Sequence, residues 1–463
     1  MFKIKEILEI TNGTLINGDI DNIATKFNIS SKNHYENEFY IPITWREVDR
    51  QQYIINAVNM GAKGYLISNS YEKNDEIIAE SIRINPNIII IQVENINTAI
   101  YQMASYKRNK VINNPVVAIT GSVGKTSTTE MISSIIREEK NVLSDRGNNN
   151  AASLLSWIML DIDDYEMAVL EAGMASKNVM EPISELLKPS IVVINNIGTS
   201  HIGNLGSKEE ILEEKLKLIT HMKDEKIVFL NDDDIMLKKV KMDDTYCIKR
   251  YSLNEAKNIN QNGEYITFDA DVYGESTSFE LKAYGIHNVA NAICAIRIAE
   301  IFNIKSNNIQ NGIRNYKNVD RRFNVINKDD YIIIDDTYNA SVDSMKAGLI
   351  AANDIKNCKR KIAVLGDMLE LGEYSEDLHR QVGEIFKEIR FDMLLTQGEN
   401  SRYICENAKK YILEKKIKNF EKQEELIEYL LEEIKEGDLI YLKASKKMNF
   451  DNIVKSIIAR NNR

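Results

Sequence analysis

Short uninterrupted apolar runs alternate along the chain with stretches whose apolar residues recur every three or four positions. A run without alternation suits a strand covered on both faces, and the intervening period suits the helices that cover it. Three such series follow one another. The first holds Phe39-Tyr40-Ile41-Pro42-Ile43, Gly64-Tyr65-Leu66-Ile67 and residues 87–93, and closes on the polar Lys107-Arg108-Asn109-Lys110 before Asn113-Asn114-Pro115 punctuates the chain. The second opens with Val116-Val117-Ala118-Ile119-Thr120 and a helical run at 128–137, and continues with strands expected at 167–170, 191–194 and 227–230. The third, from near Arg322, has strands expected at 331–334, 362–365, 393–395 and 439–442. The pattern predicts an α/β fold of three domains with parallel, doubly covered sheets: a small N-terminal α/β domain over 1–112, a central P-loop domain over 113–318 and a C-terminal Rossmann-like domain over 319–463. The acidic run at 424–436 carries Leu426, Ile427, Leu430 and Leu431 at helical spacing and reads as a solvated helix face. No internal repeat or low-complexity tract is present.

Length agrees, since 463 residues suit about three domains. Charge narrows the function: 59 Lys and Arg against 69 Asp and Glu leave a net −10, which excludes a protein that wraps nucleic acid by displacing counterions. An anionic ligand therefore needs a local positive site. The four cysteines are far apart and suggest neither a disulfide framework nor a zinc cluster. Charges interrupt the first nine residues, so no secretion signal is expected there, and no apolar run nears the roughly 18 residues of a membrane span. A cytoplasmic protein is expected.

The strongest local chemistry is Thr120-Gly121-Ser122-Val123-Gly124-Lys125-Thr126-Ser127, set between a strand and a helix. Two glycines let backbone N–H groups turn toward phosphate oxygens, Lys125 can reach the outer phosphates, and the Thr126 hydroxyl suits a magnesium ion. The first glycine of the longer P-loop spacing is Ile119 here. Glu171 ends a strand, on the rim where open sheets bind ligands; taken alone it reads equally as a cap. Asn195-Asn196-Ile197-Gly198-Thr199-Ser200-His201 puts an imidazole on the same rim, although a lone histidine is more often structural. Lys215 and Lys217, on a helix expected from about Glu209, read singly as surface lysines. Asn288 and Asn291 open a helix three residues apart, suited to a nucleobase or to N-capping by Asn288. Asp335-Asp336-Thr337-Tyr338-Asn339 closes a strand with two carboxylates, as helix caps or as ligand contacts.

In order, TGSVGKTS, LEAGM, NNIGTSH, LNDDD, GIHNVAN, DRRF, DDTYNASVDSM and VLGDMLELGEYSEDLH resemble the Mur ligase family over essentially the whole chain. The resemblance implies an ADP-forming amide ligase that uses ATP and Mg2+: a carboxylate is phosphorylated to an acyl phosphate and an amine displaces the phosphate. The last two segments are most similar to the branch whose substrates are UDP-N-acetylmuramoyl tripeptide and D-alanyl-D-alanine, in peptidoglycan precursor synthesis. It implies that Gly121, Ser122, Gly124, Lys125, Thr126 and Ser127 hold the phosphates, that Thr126 and Glu171 hold one metal ion, and that His201 and a carbamylated Lys215 hold a second. Asn291, Arg322 and Asp336 would contact the nucleotide, and Tyr338 and Asn339 the incoming dipeptide. Lys125, His201 and Lys215 are the catalytic candidates, and a monomer is expected. The departures fall mostly in substrate-recognising regions: Ser30-Ser31-Lys32 for D-S-R, Asp49-Arg50-Gln51 for D-G-H, a shortened loop from Gly147-Asn148-Asn149-Asn150 to Leu154, Ser341-Val342 for Asn-Pro, Arg321 for the glycine before the family arginine, and Lys443-Ala444-Ser445-Lys446 for K-G-S-R. Rival readings are a paralogue joining another acid and amine, a silent binding protein that kept the fold, and a generic P-loop NTPase or kinase, the last leaving GIHNVAN and DDTYN unexplained.

Overall fold

A computed structural model describes residues 1–32, 35, 37–44, 48–145, 150–328 and 330–460. Among them the chain builds three mixed or parallel sheets in sequence order, each covered by helices. The first has five strands, ordered Thr14–Asn17, Ile89–Val93, Gly64–Ser68, Phe39–Tyr40 and Phe27–Asn28, parallel except for the first. The second has six parallel strands, ordered Cys247–Tyr251, Ile227–Asn231, Ile191–Ile194, Val116–Thr120, Met167–Glu171 and Val142–Leu143. The third also has six, ordered Asn324–Asn327, Tyr331–Asp335, Asp438–Lys443, Arg360–Gly366, Met393–Gln397 and Ile417–Phe420, with only the first antiparallel. No helix is long and apolar enough to cross a membrane among the described residues.

The unbroken apolar runs explain the central layers. Alternate residues of each strand face opposite ways. Val116, Ala118, Ala168, Leu170, Val192 and Ile194 pack on the side shared with Ile100, Met103 and Ala104 of the helix Ile96–Lys110. Val117, Ile119, Val169, Ile191 and Val193 pack on the other, against the helices Lys125–Ile136 and His287–Ile301. From Val116–Thr120 the chain moves to one edge of this sheet, and from Met167–Glu171 it crosses to the other half. The carboxyl ends of these two neighbouring strands therefore flank the crevice where open parallel sheets bind ligands.

Two features differ from the expectation drawn from the chain. Lys107-Arg108-Asn109-Lys110, expected as the polar stretch that ends the first segment, is the last turn of the helix Ile96–Lys110, with Lys107 and Arg108 buried. Arg108 is buried there, and its guanidinium donates to the carbonyl oxygens of Leu187, Lys188, Val111 and Asn114, capping the helix Met180–Leu187. A rigid fork of donors satisfies several orphan carbonyls at once, which is why the arginine tolerates burial. The second is a three-stranded antiparallel sheet, Lys257–Asn262, Tyr265–Val272 and Glu275–Lys282. Its middle strand alternates exposed and buried positions, and Phe268 and Phe279 stack at 5.2 Å.

Candidate active site

The turn between Val116–Thr120 and Lys125–Ile136 folds as the glycines require. Gly124 sits at φ +80°, and a Cβ there would lie 3.2 Å from side-chain amide atoms of both Asn195 and Asn291. Only glycine takes that conformation without strain and leaves that room. The Thr126 hydroxyl donates to Glu171 Oε2 at 2.6 Å, across the crevice between the two central strands. Asn150 Nδ2 donates to the other carboxylate oxygen at 2.7 Å. Lys125 Nζ donates to the Gly121 carbonyl at 2.9 Å and to the Ser122 carbonyl at 3.5 Å. Burial holds its amine below the usual lysine range, against the opposing pull of Glu171.

Lys215 is not a surface lysine. It lies in the last turn of the helix Lys208–Leu216, only 3% exposed, and its side chain makes no hydrogen bond or ion pair among the described residues. Desolvation, with Lys125 nearby, holds its amine well below the usual range. The neighbouring Glu214 faces elsewhere and accepts from the backbone of Val179 and Met180. Lys217, by contrast, pairs with Glu214 and Asn178 near the surface.

His201 stands at φ +62°, and its Nδ1 meets a carboxylate oxygen of Glu370 from the third sheet's side of the molecule. Gly203 N–H donates to the Glu370 carbonyl at 3.1 Å, and a Cβ on Gly203 would lie 2.5 Å from the backbone nitrogen of Gly372. The two sides thus approach through backbone as well as side chains, with Tyr374 OH donating to the Gly206 carbonyl at 2.8 Å. Asn291 lines the same space within the helix His287–Ile301, with Asn288 Oδ1 accepting from its Nδ2 at 3.4 Å. That helix starts after Ile286, so Asn288 is not its N-cap.

The third sheet contributes the opposite wall. The Arg322 guanidinium lies over the Tyr338 ring at 4.4 Å. Asp336 Oδ1 accepts from the Phe323 N–H at 3.2 Å, while Oδ2 accepts from Tyr441 OH at 2.9 Å and Lys443 Nζ at 2.7 Å. Asp335 closes its own turn by accepting from Thr337 N–H and hydroxyl. The following helix, Val342–Asp354, is capped by Ser341. Neither aspartate is therefore a helix cap. Asn339 Oδ1 accepts from the Lys446 N–H at 3.4 Å, and Lys446 Nζ lies 4.9 Å from the Tyr338 centroid.

One cavity of about 1550 Å³ gathers these groups. Ser122, Gly124, Lys125, Ser127, Glu171, His201, Asn291, Arg322, Asp336, Tyr338 and Asn339 line it. Gly121, Thr126 and Lys215 do not line it. No group of three or more His, Cys, Asp or Glu side chains that could hold a metal ion occurs among the described residues. The Thr126 hydroxyl and the Glu171 carboxylate are nonetheless hard oxygen donors in contact at the mouth of a phosphate-type loop, which fits a magnesium ion that takes its remaining ligands from water and phosphate. Gly147, Asn148 and Asn149 of the shortened loop lie outside the described residues. In the first sheet's region, Asp49 accepts from the Gln51 N–H, Gln51 Oε1 accepts from the Ser68 N–H, and the Arg50 carbonyl accepts from Tyr40 OH. Reading the chain alone had not singled out Asn150, Asn196, Glu370 or Tyr441, nor given Lys443 a place at the site. Asn196 and Glu370 carried a signal as members of NNIGTSH and GDMLELG, Asn150 as part of the shortened loop and Lys443 as the first residue of Lys443-Ala444-Ser445-Lys446.

Residues 119–299 match the family profile described as the Mur ligase middle domain, and residues 321–446 that of the Mur ligase, glutamate ligase domain. The chain is 30% identical to the UDP-N-acetylmuramoyl-tripeptide--D-alanyl-D-alanine ligase of Bacillus subtilis, over 98% of each chain. It is 27% identical to the protein of the same name from Synechocystis, over 100% of this chain and 98% of that one. In fold it is similar to MurF from Acinetobacter baumannii, with a TM-score of 0.82 at 22% identity over 99% of this chain and 98% of that one. It is also similar to the MurF ligase of Thermotoga maritima in complex with ADP, with a TM-score of 0.74 at 22% identity over 94% and 98%.

Proposed function

The chain belongs to the Mur ligase family, an ATP-dependent, ADP-forming ligase of three domains, and from that premise we propose how its own residues divide the work. It joins D-alanyl-D-alanine to UDP-N-acetylmuramoyl tripeptide in peptidoglycan precursor synthesis. Residues 1–112 hold the UDP-sugar, 113–318 the ATP, and 319–463 the incoming dipeptide. The observation that carries this reading is the single cavity bounded by the carboxyl edges of both six-stranded sheets, with Lys125 on one wall and Arg322, Asp336 and Tyr338 on the other.

Gly121, Ser122, Gly124, Lys125, Thr126 and Ser127 form the phosphate loop, whose groups from Gly124 onward meet the phosphates. The first N–H groups of the helix and the Lys125 ammonium draw charge off the transferred phosphoryl oxygens. Thr126 and Glu171 hold Mg2+, which when bound neutralises charge on the same oxygens. Asn291 contacts the adenine, and Arg322 and Asp336 the nucleotide at the junction between the sheets. Lys215, whose amine burial holds well below the usual range, would take up carbon dioxide with loss of a proton, and its carbamate together with His201 would hold a second metal ion. A carboxylate oxygen of the tripeptide attacks the γ-phosphorus and ADP leaves; the dipeptide amine then attacks the acyl carbon, loses a proton, and phosphate leaves. Tyr338 and Asn339 orient that amine's substrate. The close approach of Gly203 to Leu371 and Gly372 keeps water from the acyl phosphate.

Phosphate release from purified protein with ATP, Mg2+, UDP-N-acetylmuramoyl tripeptide and D-alanyl-D-alanine, omitting one at a time, tests this. Release that needs every component is expected. Release with an unrelated acid and amine but none with this set would overturn the substrate assignment.

A further inference from the structure

We propose that Asn196 is a positioning residue of the phosphate loop, holding its first half in shape so that the helix-start amides and Lys125 meet the nucleotide. The inference rests on reading the loop as the ATP site. Asn196 follows the strand Ile191–Ile194, the neighbour of the strand that feeds the loop. Its Oδ1 accepts from two consecutive loop amides, Ser122 N–H at 3.0 Å and Val123 N–H at 2.9 Å. Its Nδ2 donates back to the Val123 carbonyl at 3.0 Å. Both acceptor sites of the oxygen and one donor of the nitrogen are thus used, and the reversed amide would set a donor against two donors.

This arrangement divides the loop. In a phosphate loop, consecutive backbone amides turn inward to meet anionic oxygen. Here the amides of Ser122 and Val123 are committed to a side chain of the next strand, so phosphate is met by the amides from Gly124 onward, where a helix start leaves its first N–H groups without intrahelical partners. Two further bonds stitch the same segments: Gly198 N–H donates to Ser122 Oγ at 2.8 Å, and the Ser200 hydroxyl donates to the Ser122 carbonyl at 3.5 Å. An amide does this where a carboxylate would repel phosphate and an aliphatic side chain would leave the Val123 amide unpaired and the Ser122 amide only its 3.2 Å bond to the Asn196 backbone carbonyl.

The test is direct titration of a fluorescent ATP analogue with purified full-length protein, reading affinity and stoichiometry separately, so that the acid and amine substrates are not needed. Asn196→Ala removes three neutral hydrogen bonds, and Kd is expected to rise roughly 10- to 100-fold with one site per chain retained. A purely structural role would instead lower the stoichiometry or the melting temperature and leave the Kd of the folded fraction alone. A Kd within twofold of wild type in folded Asn196→Ala overturns the proposal. Should that variant not fold, Asn196→Ser carries the same test: a rise above threefold supports it, and one within twofold overturns it. A wild-type protein that binds no ATP analogue defeats the nucleotide reading itself, and this inference with it.

Discussion

Two buried lysines close the carboxyl edges of the two six-stranded sheets, and the protein treats them oppositely. Both are 3% exposed, and burial lowers both amines. Lys443, on the third sheet, is bound to Asp336 at 2.7 Å, in a cluster that Tyr441 and the Phe323 N–H complete. Lys215, beside the central sheet, makes no side-chain hydrogen bond or ion pair among the described residues, and Lys125 opposes its charge more strongly than Glu171 favours it. A buried amine without a hydrogen-bond partner is a cost that folding alone would remove. The C-terminal edge is a frame whose charges are satisfied inside the protein, and the central edge keeps an unpaired amine, beside Lys125, for groups brought from outside.

Substituting methionine at each position tests this contrast most severely. Lys215→Met should lower turnover by about 10²–10³ or more while raising stability by on the order of 1 kcal/mol, since a desolvated amine becomes a thioether of similar reach. Lys443→Met should lower stability by about 3–5 kcal/mol, because Asp336 is left buried without its cation. Denaturant midpoints beside phosphate-release rates read both effects. A loss of stability in Lys215→Met would erase the distinction between the two edges. Lys125→Ala belongs with the first, abolishing turnover with little change in melting temperature.

A smaller effect sharpens the idea of the C-terminal frame. Gly348 lies in the helix Val342–Asp354, and a Cβ on it would fall 2.0 Å from Tyr441 OH and 3.0 Å from Asp336 Oδ2. Neither atom can yield without breaking the cluster. Gly348→Ala should therefore cost about 1–3 kcal/mol, although alanine favours helices. Unchanged or raised stability on thermal melting would show that the cluster is loose.

What the chain disclosed beforehand follows the same division. The phosphate loop was legible because its chemistry is local: strand, glycines, Lys125 and Thr126 are consecutive. The parallel sheets were legible because strands buried on both faces leave unbroken apolar runs. Asn196 meets its loop partners across 73 residues, Lys443 meets Asp336 across 107, and His201 meets Glu370 across 169. No spacing rule reaches so far. Lys215 sits among Glu209, Glu210, Glu213 and Glu214, a pattern that reads as a solvated helix, and only packing decides which of those side chains turns inward. The antiparallel sheet carried its own signal, Gly263-Glu264 between alternating strands with Gly263 at φ +57°, a glycine at the first turn position being favoured in tight hairpins.

The mildest perturbation is a proton on His379, which braces the segment that carries Glu370 to His201. The ring is fully buried, its Nε2 accepts from the Met368 N–H at 2.9 Å, and its Nδ1 lies 2.6 Å from the Ser375 carbonyl. This geometry requires the neutral ring protonated at Nδ1, and burial holds the pKa below the usual 6.5. The unfolded chain therefore binds the proton at a higher pH than the folded one. The stability this histidine contributes is fully present above pH 6.5 and falls as pH drops from there toward the depressed folded value, by about 1.4 kcal/mol for each unit separating the two. His379→Leu should be less stable at pH 7.5, with the Met368 amide unpaired, yet lose less on going to pH 5.5 than wild type does. Parallel melting curves of the two proteins at both pH values measure the difference. Equal losses would mean that the brace on the C-terminal edge does not depend on the charge of this ring.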